Sequence, residues 1–485
     1  MDSFKKVLEK FKNQKVGILG LGEENIALID FLIKAGIKVV ICDQKTKDEL
    51  GDYYKKVKNW PVQFRLGPHY LDNLKDFKIV FRSPGIPYLN PKIQAAKIAG
   101  VEISSQTKLF FELCPCPIIG VTGTKGKGTT ASLIYDILMR KSEILNPKFQ
   151  TRLAFGEPRR ANSKLKILNS KIYLGGNIGN PPIEFLEKLT KNDIVILELS
   201  SFQLQDLDCS PHIAVVLDIK IDHLDYHRDE KEYIEAKRNL VRFQTKKDFA
   251  AINADYFTSI EFASLTKGKV YWFSRRKSVD QGTFWQDKNL ILRINDQDIS
   301  IIKADQIKLL GEHNLENAAA AALAGFLAAA EINTIKNAII DFKGLKHRLE
   351  FIRVLDGVSF YNDSYSTTPE TTIAAIRSFK QPVILLVGGS DKGADYNLLS
   401  QEISKSSVKA IINIGQTGQK IIEKITLPNI EIFNKIHTLE QAVNLAVQKS
   451  KKGEVILLSP ASASFDQFQN YQQRGEIFKS LVNKL

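Results

Sequence analysis

Short apolar runs alternate with amphipathic segments along nearly the whole chain. Runs at 15–22, 38–43 and 78–87 predict strands that end in turns, and residues 24–36 have the spacing of a helix closed by a glycine. A strand, a helix and a second strand in this order form a βαβ unit of a parallel sheet. The N-terminal part of the chain is therefore predicted to be Rossmann-like.

The same alternation starts again twice. Apolar runs in the middle of the chain lie at 118–123, 171–176, 193–201 and 212–219, and those in the last part lie at 358–363, 382–389, 409–415 and 454–462. We therefore expect an α/β fold of three consecutive α/β domains. They are an N-terminal Rossmann-like domain at 1–113, a central P-loop ATPase-like domain at 114–344 and a C-terminal Rossmann-like domain at 345–485.

Two segments of the middle part differ from this pattern. The alanine-rich stretch at 316–330 lies between Glu316 and Glu331, so it predicts a close-packed core helix that is too short to span a membrane. Residues 140–170 are polar, basic and aperiodic, and they are expected to form a surface loop or insertion.

Composition narrows the possible functions. The net charge of +14 favours anionic partners, but the lysines are scattered through 485 residues, so a nucleic-acid partner is not expected. A signal peptide and a membrane span are not expected either, which predicts a cytoplasmic protein. Cys114 and Cys116 are spaced C-x-C, which matches neither a zinc knuckle nor a thioredoxin motif. We expect the cysteines to be incidental thiols in a reducing cytosol.

The stretch GVTGTKGKGTT at 120–130 suggests a phosphate-binding loop between a strand and a helix. It departs from the P-loop pattern at Val121, where a glycine is required, and at Gly128, where a hydroxyl residue is required. Lys127 can still neutralise phosphate charge, and Thr129 or Thr130 can supply a hydroxyl to Mg²⁺. The alternative is an ordinary glycine turn.

Four further residues in the middle part are candidates for chemistry. Glu198 stands at the end of an apolar strand, where an acid could bind a metal beside a phosphate loop. His223 and His227 are four residues apart, but without a third ligand a zinc site is not favoured, and contact of one histidine with Mg²⁺ or substrate is the better interpretation. Lys237 lies on the next predicted helix and by default would be a surface lysine.

Polar loops in the outer domains complete the list of candidates. In the last part, the loops at 362–370, 388–396 and 459–478 follow predicted strands, and their hydroxyl and amide groups suggest a site for a small polar substrate. At the N-terminus, GLGEEN has Asn25 where the dinucleotide fingerprint has its third glycine, although Asp43 lies near the expected distance downstream. A hydride-transfer domain is therefore disfavoured.

The motifs GTKGKGTT, GGNIGNP, ELSSFQL, IDHLDYH, EHNLEN, LKHRLE, NDSYSTTPE and SPASASFDQF occur in the order that is found in Mur ligases. Along essentially its whole length the chain resembles this family, and ELSSFQL with SPASASFDQF resembles the branch that adds D-glutamate to UDP-N-acetylmuramoyl-L-alanine. The resemblance implies an ATP-dependent ligase of peptidoglycan precursor synthesis. The terminal carboxylate would become an acyl phosphate, and the amine of D-glutamate would displace the phosphate to form an amide.

The resemblance also implies roles for individual residues. Those near ATP are Gly123, Thr124, Gly126, Lys127, Thr129, Thr130, Asn314, Asn317, His347, Arg348 and Asp363. Those near the UDP-sugar are Gly20, Gly22, Asp43, Ser83, Pro84, Gly85 and Asn177. Those near the amino acid are Thr367, Lys392, Ser464, Phe465 and Tyr471. Two Mg²⁺ ions are expected, with ligands from Thr129, Glu198, His223 and a carbamylated Lys237. Lys127, His223 and Lys237 are the expected catalytic residues of a monomeric enzyme.

Several positions depart from the pattern of the D-glutamate-adding branch. Gly128 replaces a usual serine and gives the loop the form found in folylpolyglutamate synthases. Tyr365 replaces a frequent lysine, Lys108 replaces a glutamate, and the insertion at 140–170 is longer than usual.

These departures leave alternatives open. One is a ligase like the folylpolyglutamate synthases, which should lack the domain at 1–113. Another is a related Mur ligase that adds a different amino acid, such as L-glutamate. A nucleotide-binding protein that no longer catalyses, or a basic nucleic-acid-binding ATPase, would belong to another class.

Overall fold

The computed structural model describes residues 14–144, 170–220, 226–391, 393–423 and 430–485, together with Lys5, Glu9, Phe11 and Lys12. Within this part of the chain the backbone forms three β-sheets that follow one another in sequence. The chain divides into two compact units, Met1–Ala304 with Glu316–Ile339, and Asp305–Leu315 with Ile340–Leu485. The first unit contains the first two sheets, and the second unit contains the third. The predicted α/β fold class is confirmed.

The first sheet is parallel and has the strand order β3-β2-β1-β4-β5. Its strands are β1 (Lys15–Leu19), β2 (Lys38–Asp43), β3 (Val62–Leu66), β4 (Ile79–Arg82) and β5 (Glu102–Ser104). Its helices are α1 (Glu23–Lys34), α2 (Lys47–Val57), α3 (Pro91–Ile98) and α4 (Gln106–Leu113). Successive strands are added to one side of β1 up to β3 and to its other side from β4 onward, so the strand order reverses between β1 and β4. Open α/β sheets bind ligands at the carboxyl ends of strands at such a reversal.

The second sheet has the order β14-β13-β12-β11-β10-β9-β6-β8-β7. Its strands are β6 (Ile118–Thr122), β7 (Ile172–Gly176), β8 (Ile194–Glu198), β9 (Ile213–Val216), β10 (Phe249–Asn253), β11 (Lys269–Ser274), β12 (Gly282–Gln286), β13 (Asn289–Ile294) and β14 (Gln297–Lys303). The associated helices are α5 (Lys127–Ile144), α6 (Ser201–Leu204), α7 (Glu230–Arg242), α8 (Phe257–Ile260), α9 (His313–Leu327) and α10 (Ile332–Asp341). The central strands β6, β8 and β9 are parallel neighbours, so their carboxyl ends share one edge.

The sequence pattern did not predict the meander β12–β13–β14. Its strands pair antiparallel through two-residue turns at Asp287–Lys288 and Asn295–Asp296, and all four turn residues have positive φ. Two-residue turns with positive φ match the right-handed twist of the strands, and they usually contain glycine because glycine adopts positive φ without strain. Because no glycine occupies these four positions, the usual sequence signal for a hairpin is missing.

The alanine-rich segment is buried, as the sequence predicts. Ala318–Ala324 of α9 are fully shielded from solvent, and the Cα of Gly325 approaches so closely that an added Cβ would lie 2.9 Å from Ile137 Cγ2. Small side chains therefore allow α9 to pack against α5. None of the helices in the described ranges is both long and apolar enough to cross a membrane.

Helix α5 is longer than the sequence pattern suggests. It continues to Ile144, so the prediction of a loop that starts at residue 140 is wrong for its first five residues. The remainder of the predicted insertion, residues 145–169, lies outside the described residues.

The third sheet has the order β15-β16-β20-β17-β18-β19, and only β15 at its edge runs antiparallel to its neighbour among these strands. The strands are β15 (Glu350–Leu355), β16 (Val358–Asn362), β17 (Val383–Val387), β18 (Val408–Ile414), β19 (Glu431–Ile436) and β20 (Val455–Leu458). The helices are α11 (Pro369–Ile376), α12 (Asn397–Lys405), α13 (Gly418–Ile422), α14 (Leu439–Lys449) and α15 (Tyr471–Lys484). Since β20 lies between β16 and β17, the three polar loops singled out in the sequence emerge at one edge.

Candidate active site

The glycine loop connects β6 to the N-terminus of α5, as a phosphate-binding loop must. Gly126 has a φ of +82°, a conformation that glycine adopts without strain, and Thr130 N–H donates to its carbonyl at 2.9 Å. The loop therefore turns directly into the helix. Backbone N–H groups at such a helix start are free of intrahelical partners and carry partial positive charge, which suits an anionic ligand.

Hydrogen bonds from the segment after β9 hold the loop. The N–H of Thr124 donates to the carbonyl of Asp218 at 2.7 Å, and the N–H of Lys125 donates to the Asp218 carboxylate at 3.2 Å. The Thr124 hydroxyl donates to the Lys220 carbonyl at 3.0 Å and lies 3.0 Å from the hydroxyl of Tyr233 on α7. Two neighbouring segments thus set the path of the loop backbone.

Close packing explains why two loop positions are glycine. A Cβ at Gly123 would lie 2.6 Å from the Cβ of Leu217, and a Cβ at Gly126 would overlap Oδ1 of Asn317 on α9. The same Oδ1 accepts a hydrogen bond from the buried Thr130 hydroxyl at 3.2 Å. Asn317, predicted near ATP, is therefore brought against the loop, and Thr130 is engaged in holding it. Thr129 is partly exposed.

Glu198 lies beside the loop at the end of β8, and its Cα is in register with that of Val121 on β6. Its side chain is only 3% exposed. Asn177 donates to Oε1 at 3.3 Å, whereas Oε2 has no hydrogen-bond partner among the described residues. A buried carboxylate oxygen costs free energy unless something satisfies it. A hard divalent cation, which prefers oxygen ligands, would fit this position.

Lys237 is not the surface lysine that its helical position suggests. It is 1% exposed, and its ammonium donates to the carbonyl of Gly123 at 3.0 Å and to the hydroxyl of Thr122 at 3.4 Å. The ammonium also lies 4.7 Å from the centre of the Tyr233 ring. The structure thus places Lys237 against the glycine loop from the side of α7.

Lys127, the first residue of α5, has its ammonium 3.0 Å from the carbonyl of Thr124, to which it donates. His223, which was predicted to bind metal, lies outside the described residues, as does Lys392. His227 is buried, and its Nε2 is 2.9 Å from the Ser201 hydroxyl, with aromatic rings around it. These contacts show that His227 is a histidine packed in the protein interior.

The predicted nucleotide-sugar residues of the first sheet lie together. The Asp43 carboxylate accepts from the N–H of Leu21 at 2.7 Å, which fixes the turn at Gly20–Gly22. A Cβ at Gly20 would lie 3.0 Å from that of Ser83, the first residue of the Ser83–Gly85 turn. The turns after β1 and β4 are therefore adjacent. Asn177, in contrast, directly follows β7 of the second sheet and donates to Glu198.

Sequence reasoning missed Arg82, which is fully buried at the end of β4. Its guanidinium donates to the carbonyl of Ile86 at 2.6 Å, to the carbonyl of Phe202 at 2.9 Å and to the hydroxyl of Tyr226 at 3.0 Å. It also lies 3.4 Å from the Asp206 carboxylate. This side chain joins the turn after β4 to the segment that follows Glu198. The sequence signal that could have revealed this buried residue is an arginine at the end of an otherwise apolar strand.

Arg474 plays a similar part in the second unit. It is 1% exposed, and its guanidinium donates to the carbonyl of Ser364 at 2.9 Å and to that of Ser462 at 3.1 Å. Burial lowers the pKa of Arg474 to about 10. The side chain holds the loops after β16 and β20 next to each other, and its place on α15 gave no sign of this role.

The predicted residues of the second unit are split between buried and exposed positions. His347 is buried, with Nδ1 2.9 Å from the amide nitrogen of Asn362, and burial lowers its pKa. The guanidinium of Arg348 stacks on Tyr365, 3.7 Å from the ring centre, and Tyr471 meets the same ring edge-on. Tyr365, which stands where a lysine is frequent, thus stacks on the positively charged guanidinium of Arg348.

Four further candidates lie on these loops or beside them. Ser464 is buried, and its carbonyl accepts from Phe468 N–H at 2.8 Å. Phe465 is 64% exposed. The N–H of Thr367 donates to the Tyr365 carbonyl, and the amide of Asn314 donates to the Leu310 carbonyl at 2.6 Å.

Asp363 is a buried carboxyl at the end of β16. It accepts hydrogen bonds from Leu349 N–H at 3.1 Å, from the Ser366 hydroxyl at 2.5 Å and from the Ser459 hydroxyl at 2.7 Å. These bonds favour the charged form, but burial outweighs them and raises the pKa from 3.8 to about 6. Between these two values the folded state binds more protons than the unfolded state.

We predict that acid stabilises the second unit through Asp363. As the pH falls from about 7 to about 4.5, the free energy of unfolding of the wild type should rise by about 2 kcal/mol relative to Asp363→Asn, because only the wild-type carboxyl takes up the proton. Denaturant unfolding at several pH values measures the difference. The matched control Asp356→Asn, at an exposed turn, should change by less than about 0.5 kcal/mol. A pH-independent difference for Asp363→Asn contradicts the prediction.

Three family models match consecutive parts of the chain. They are the Mur ligase MurD-like N-terminal domain at 14–105, the Mur ligase middle domain at 121–325 and the Mur ligase glutamate ligase domain at 347–462. Each model covers one of the three sheets in large part. The order of the matches is the order of the sheets.

Full-length relatives and solved structures agree with these matches. UDP-N-acetylmuramoylalanine–D-glutamate ligase of Acetivibrio thermocellus is 38% identical, over 100% of this chain and 99% of the relative. The enzyme of that name from Symbiobacterium thermophilum is 37% identical over 97% and 98%. The structure of MurF ligase from Thermotoga maritima in complex with ADP has a TM-score of 0.56 at 16% identity, and covers 98% of this chain and 97% of that chain. At this identity the structural likeness shows the fold, whereas the relatives show the family. The chain belongs to the Mur ligase family.

Proposed function

We propose that the chain is an ATP-dependent ligase that joins D-glutamate to the terminal carboxylate of UDP-N-acetylmuramoyl-L-alanine in peptidoglycan precursor synthesis. The observation that carries the proposal is the cluster at the carboxyl ends of β6 and β8. A glycine loop at a helix start lies beside a buried carboxylate, Glu198, and a buried lysine, Lys237. Full-length relatives that carry the name of this ligase support the choice of substrates.

The loop residues would bind the phosphates of ATP. The backbone of Gly123, Thr124 and Gly126 would face the phosphates, and Lys127 would neutralise their charge. Thr130 supports the loop through Asn317, so Thr129 is the hydroxyl we assign to Mg²⁺. In the second unit we assign Asn314, His347, Arg348 and Asp363 to the nucleotide.

The acidic groups near the loop would hold Mg²⁺. Glu198 fits, because its Oε2 is buried and has no hydrogen-bond partner in the described part of the chain. We assign the other ligands to Thr129, to His223 and to a carbamate on Lys237, and we propose two ions. Bound there, Mg²⁺ would supply positive charge that offsets the negative charge of the phosphates.

Carbamylation of Lys237 would form an N–C bond between its amine and CO₂, with release of a proton. The product is a carboxylate on a long side chain that already reaches Gly123 and Thr122. The chain would thereby gain a second acidic group on the side of the loop that faces α7. An acidic group suits a Mg²⁺ site better than an ammonium does.

The chemistry needs positioning more than covalent help from the protein. A substrate carboxylate oxygen attacks the γ-phosphorus of ATP, the bond to the ADP oxygen breaks, and an acyl phosphate forms. The amine of D-glutamate then attacks the acyl carbon, loses a proton and displaces phosphate. The residues at the loop would hold these reactants in line and stabilise the charge that develops.

Residues beside the first and third sheets would bind the two substrates. The adjacent turns at Gly20–Gly22 and Ser83–Gly85, with Asp43, would bind the UDP-sugar, and Asn177 would reach it from the second sheet. Residues of the third sheet's loops would surround D-glutamate, namely Thr367, Lys392, Ser464, Phe465 and Tyr471. We propose domain boundaries at 113/114 and 344/345, and a monomer that acts in the cytoplasm, where ATP is available.

We predict that the purified chain, given ATP, Mg²⁺ and UDP-N-acetylmuramoyl-L-alanine, forms an amide with D-glutamate and releases one phosphate per amide. Mass spectrometry of parallel incubations with D-glutamate, L-glutamate, D-aspartate and glycine identifies the product. D-Glutamate should be the preferred amine. If L-glutamate gives the preferred product, the proposed substrate is wrong but the ligase activity stands. Phosphate release without any amide would overturn the proposed ligase activity.

We predict that Lys237→Ala lowers the turnover number by at least about 100-fold, since it removes the group that carries the carbamate. Acetate should restore part of the activity to this variant by supplying the missing carboxylate. Lys231→Ala is the matched control, because Lys231 is exposed on the same helix. Full activity of Lys237→Ala, or an equal loss in both variants, contradicts the carbamate role.

A further inference from the structure

Two of the four cysteines lie side by side at the joint between α4 and β6. The sulfur atoms of Cys114 and Cys116 are 3.6 Å apart, and the thiol of Cys114 is also 3.4 Å from the carbonyl of Cys116. Cys114 is partly exposed, whereas Cys116 is buried. The partly exposed residue is thus the one that a reagent would meet first, and the second sulfur is within 3.6 Å of its sulfur.

The other two cysteines provide a contrast within the same chain. Cys42 is fully buried in the first sheet, and Cys209 is partly exposed. Burial raises the pKa of Cys42 to about 11 and that of Cys209 to about 12. Both thiols therefore remain protonated near neutral pH and are poor nucleophiles.

We propose that Cys114 and Cys116 form a dithiol site that reacts with low-molecular-weight disulfides, with Cys114 as the attacking thiol and Cys116 as the resolving thiol. The Cys114 thiolate attacks one sulfur of the small disulfide, a mixed disulfide forms and one small thiol leaves. The Cys116 sulfur then attacks Cys114, its proton goes to the departing sulfur, and the second small thiol leaves. The protein loses two electrons and two protons, and the small disulfide gains them.

The local contacts support this order of attack. The two sulfur atoms are at hydrogen-bond distance and either can donate; when the Cys116 thiol donates, this bond lowers the pKa of Cys114 below its ordinary value. The same bond and burial raise the pKa of Cys116 in the reduced pair. In the mixed disulfide Cys114 no longer accepts that bond, and Cys116 attacks a sulfur that is held next to it, so proximity takes the place of thiolate character. Exposure and thiolate character thus coincide at Cys114, the combination that makes a cysteine reactive.

The closed disulfide would lie between two elements of the larger unit. Cys114 caps the C-terminus of α4, and Cys116 is two residues before β6, which leads into the phosphate loop. Pro115 lies between the two cysteines, so the ring that the disulfide closes would contain one residue whose φ is fixed. The site is separate from the residues assigned to substrates and does not depend on the proposed function.

The test uses the reduced, full-length protein and oxidised glutathione. Samples are quenched with N-ethylmaleimide at intervals, digested and examined by mass spectrometry. We expect the peptide with both cysteines to lose two hydrogens at a rate at least about tenfold above glutathione addition to Cys209, because one unit of pKa changes the ratio of thiolate to thiol tenfold. Equal rates at Cys114 and Cys209, or a persistent adduct on Cys114 without the internal disulfide, would overturn the proposal.

Two variants separate the roles of the sulfurs. In Cys116→Ser the glutathione adduct on Cys114 should accumulate, because nothing resolves it, and the adduct should be absent from the wild type at the same times. Cys209→Ser is the matched control and should leave the rate at the pair unchanged. Failure of Cys116→Ser to trap the adduct would overturn the assignment of Cys116, and the wild-type time course does not depend on how either variant folds.

Discussion

The hydrogen bonds that hold the glycine loop are the constraint on which the candidate active site depends. Asp218 bonds the loop backbone from the end of β9, Lys237 does so from α7, and Asn317 fills the space beside Gly126 from α9. Each contact comes from a different element of the larger unit. A loop held on several sides can keep its N–H groups directed at a ligand without a large entropy cost on binding.

A fourth element, β8, brings an acidic group to the loop. Glu198 reaches it because β8 is the parallel neighbour of β6, and Arg82 ties the segment after Glu198 to the turn after β4. The first sheet is thereby linked to the second through a buried guanidinium beside Asp206. A buried charge of this kind is costly to leave unpaired, so it favours one arrangement of the turn after β4 and the segment after β8.

Much of the fold could be predicted from the sequence, because buried parallel strands are short apolar runs and the loop after β6 has a glycine pattern. The meander after β11 could not, because Asp287 and Asn295 make turns that usually contain glycine. The burial of Lys237, Arg82 and Arg474 also escaped prediction. A lysine or arginine is buried only when partners distant in sequence satisfy its donors, and one sequence does not reveal those partners.

An acyl phosphate leaves a record in the oxygen atoms of the phosphate that is released. UDP-N-acetylmuramoyl-L-alanine labelled with ¹⁸O at both oxygens of its terminal carboxylate can be incubated with the chain, ATP, Mg²⁺ and D-glutamate, and the phosphate analysed by mass spectrometry. If ATP is spent on the carboxylate, each phosphate should carry one ¹⁸O atom, because the oxygen that attacked phosphorus leaves with it. Unlabelled phosphate, released together with amide, would contradict activation of the carboxylate at this site.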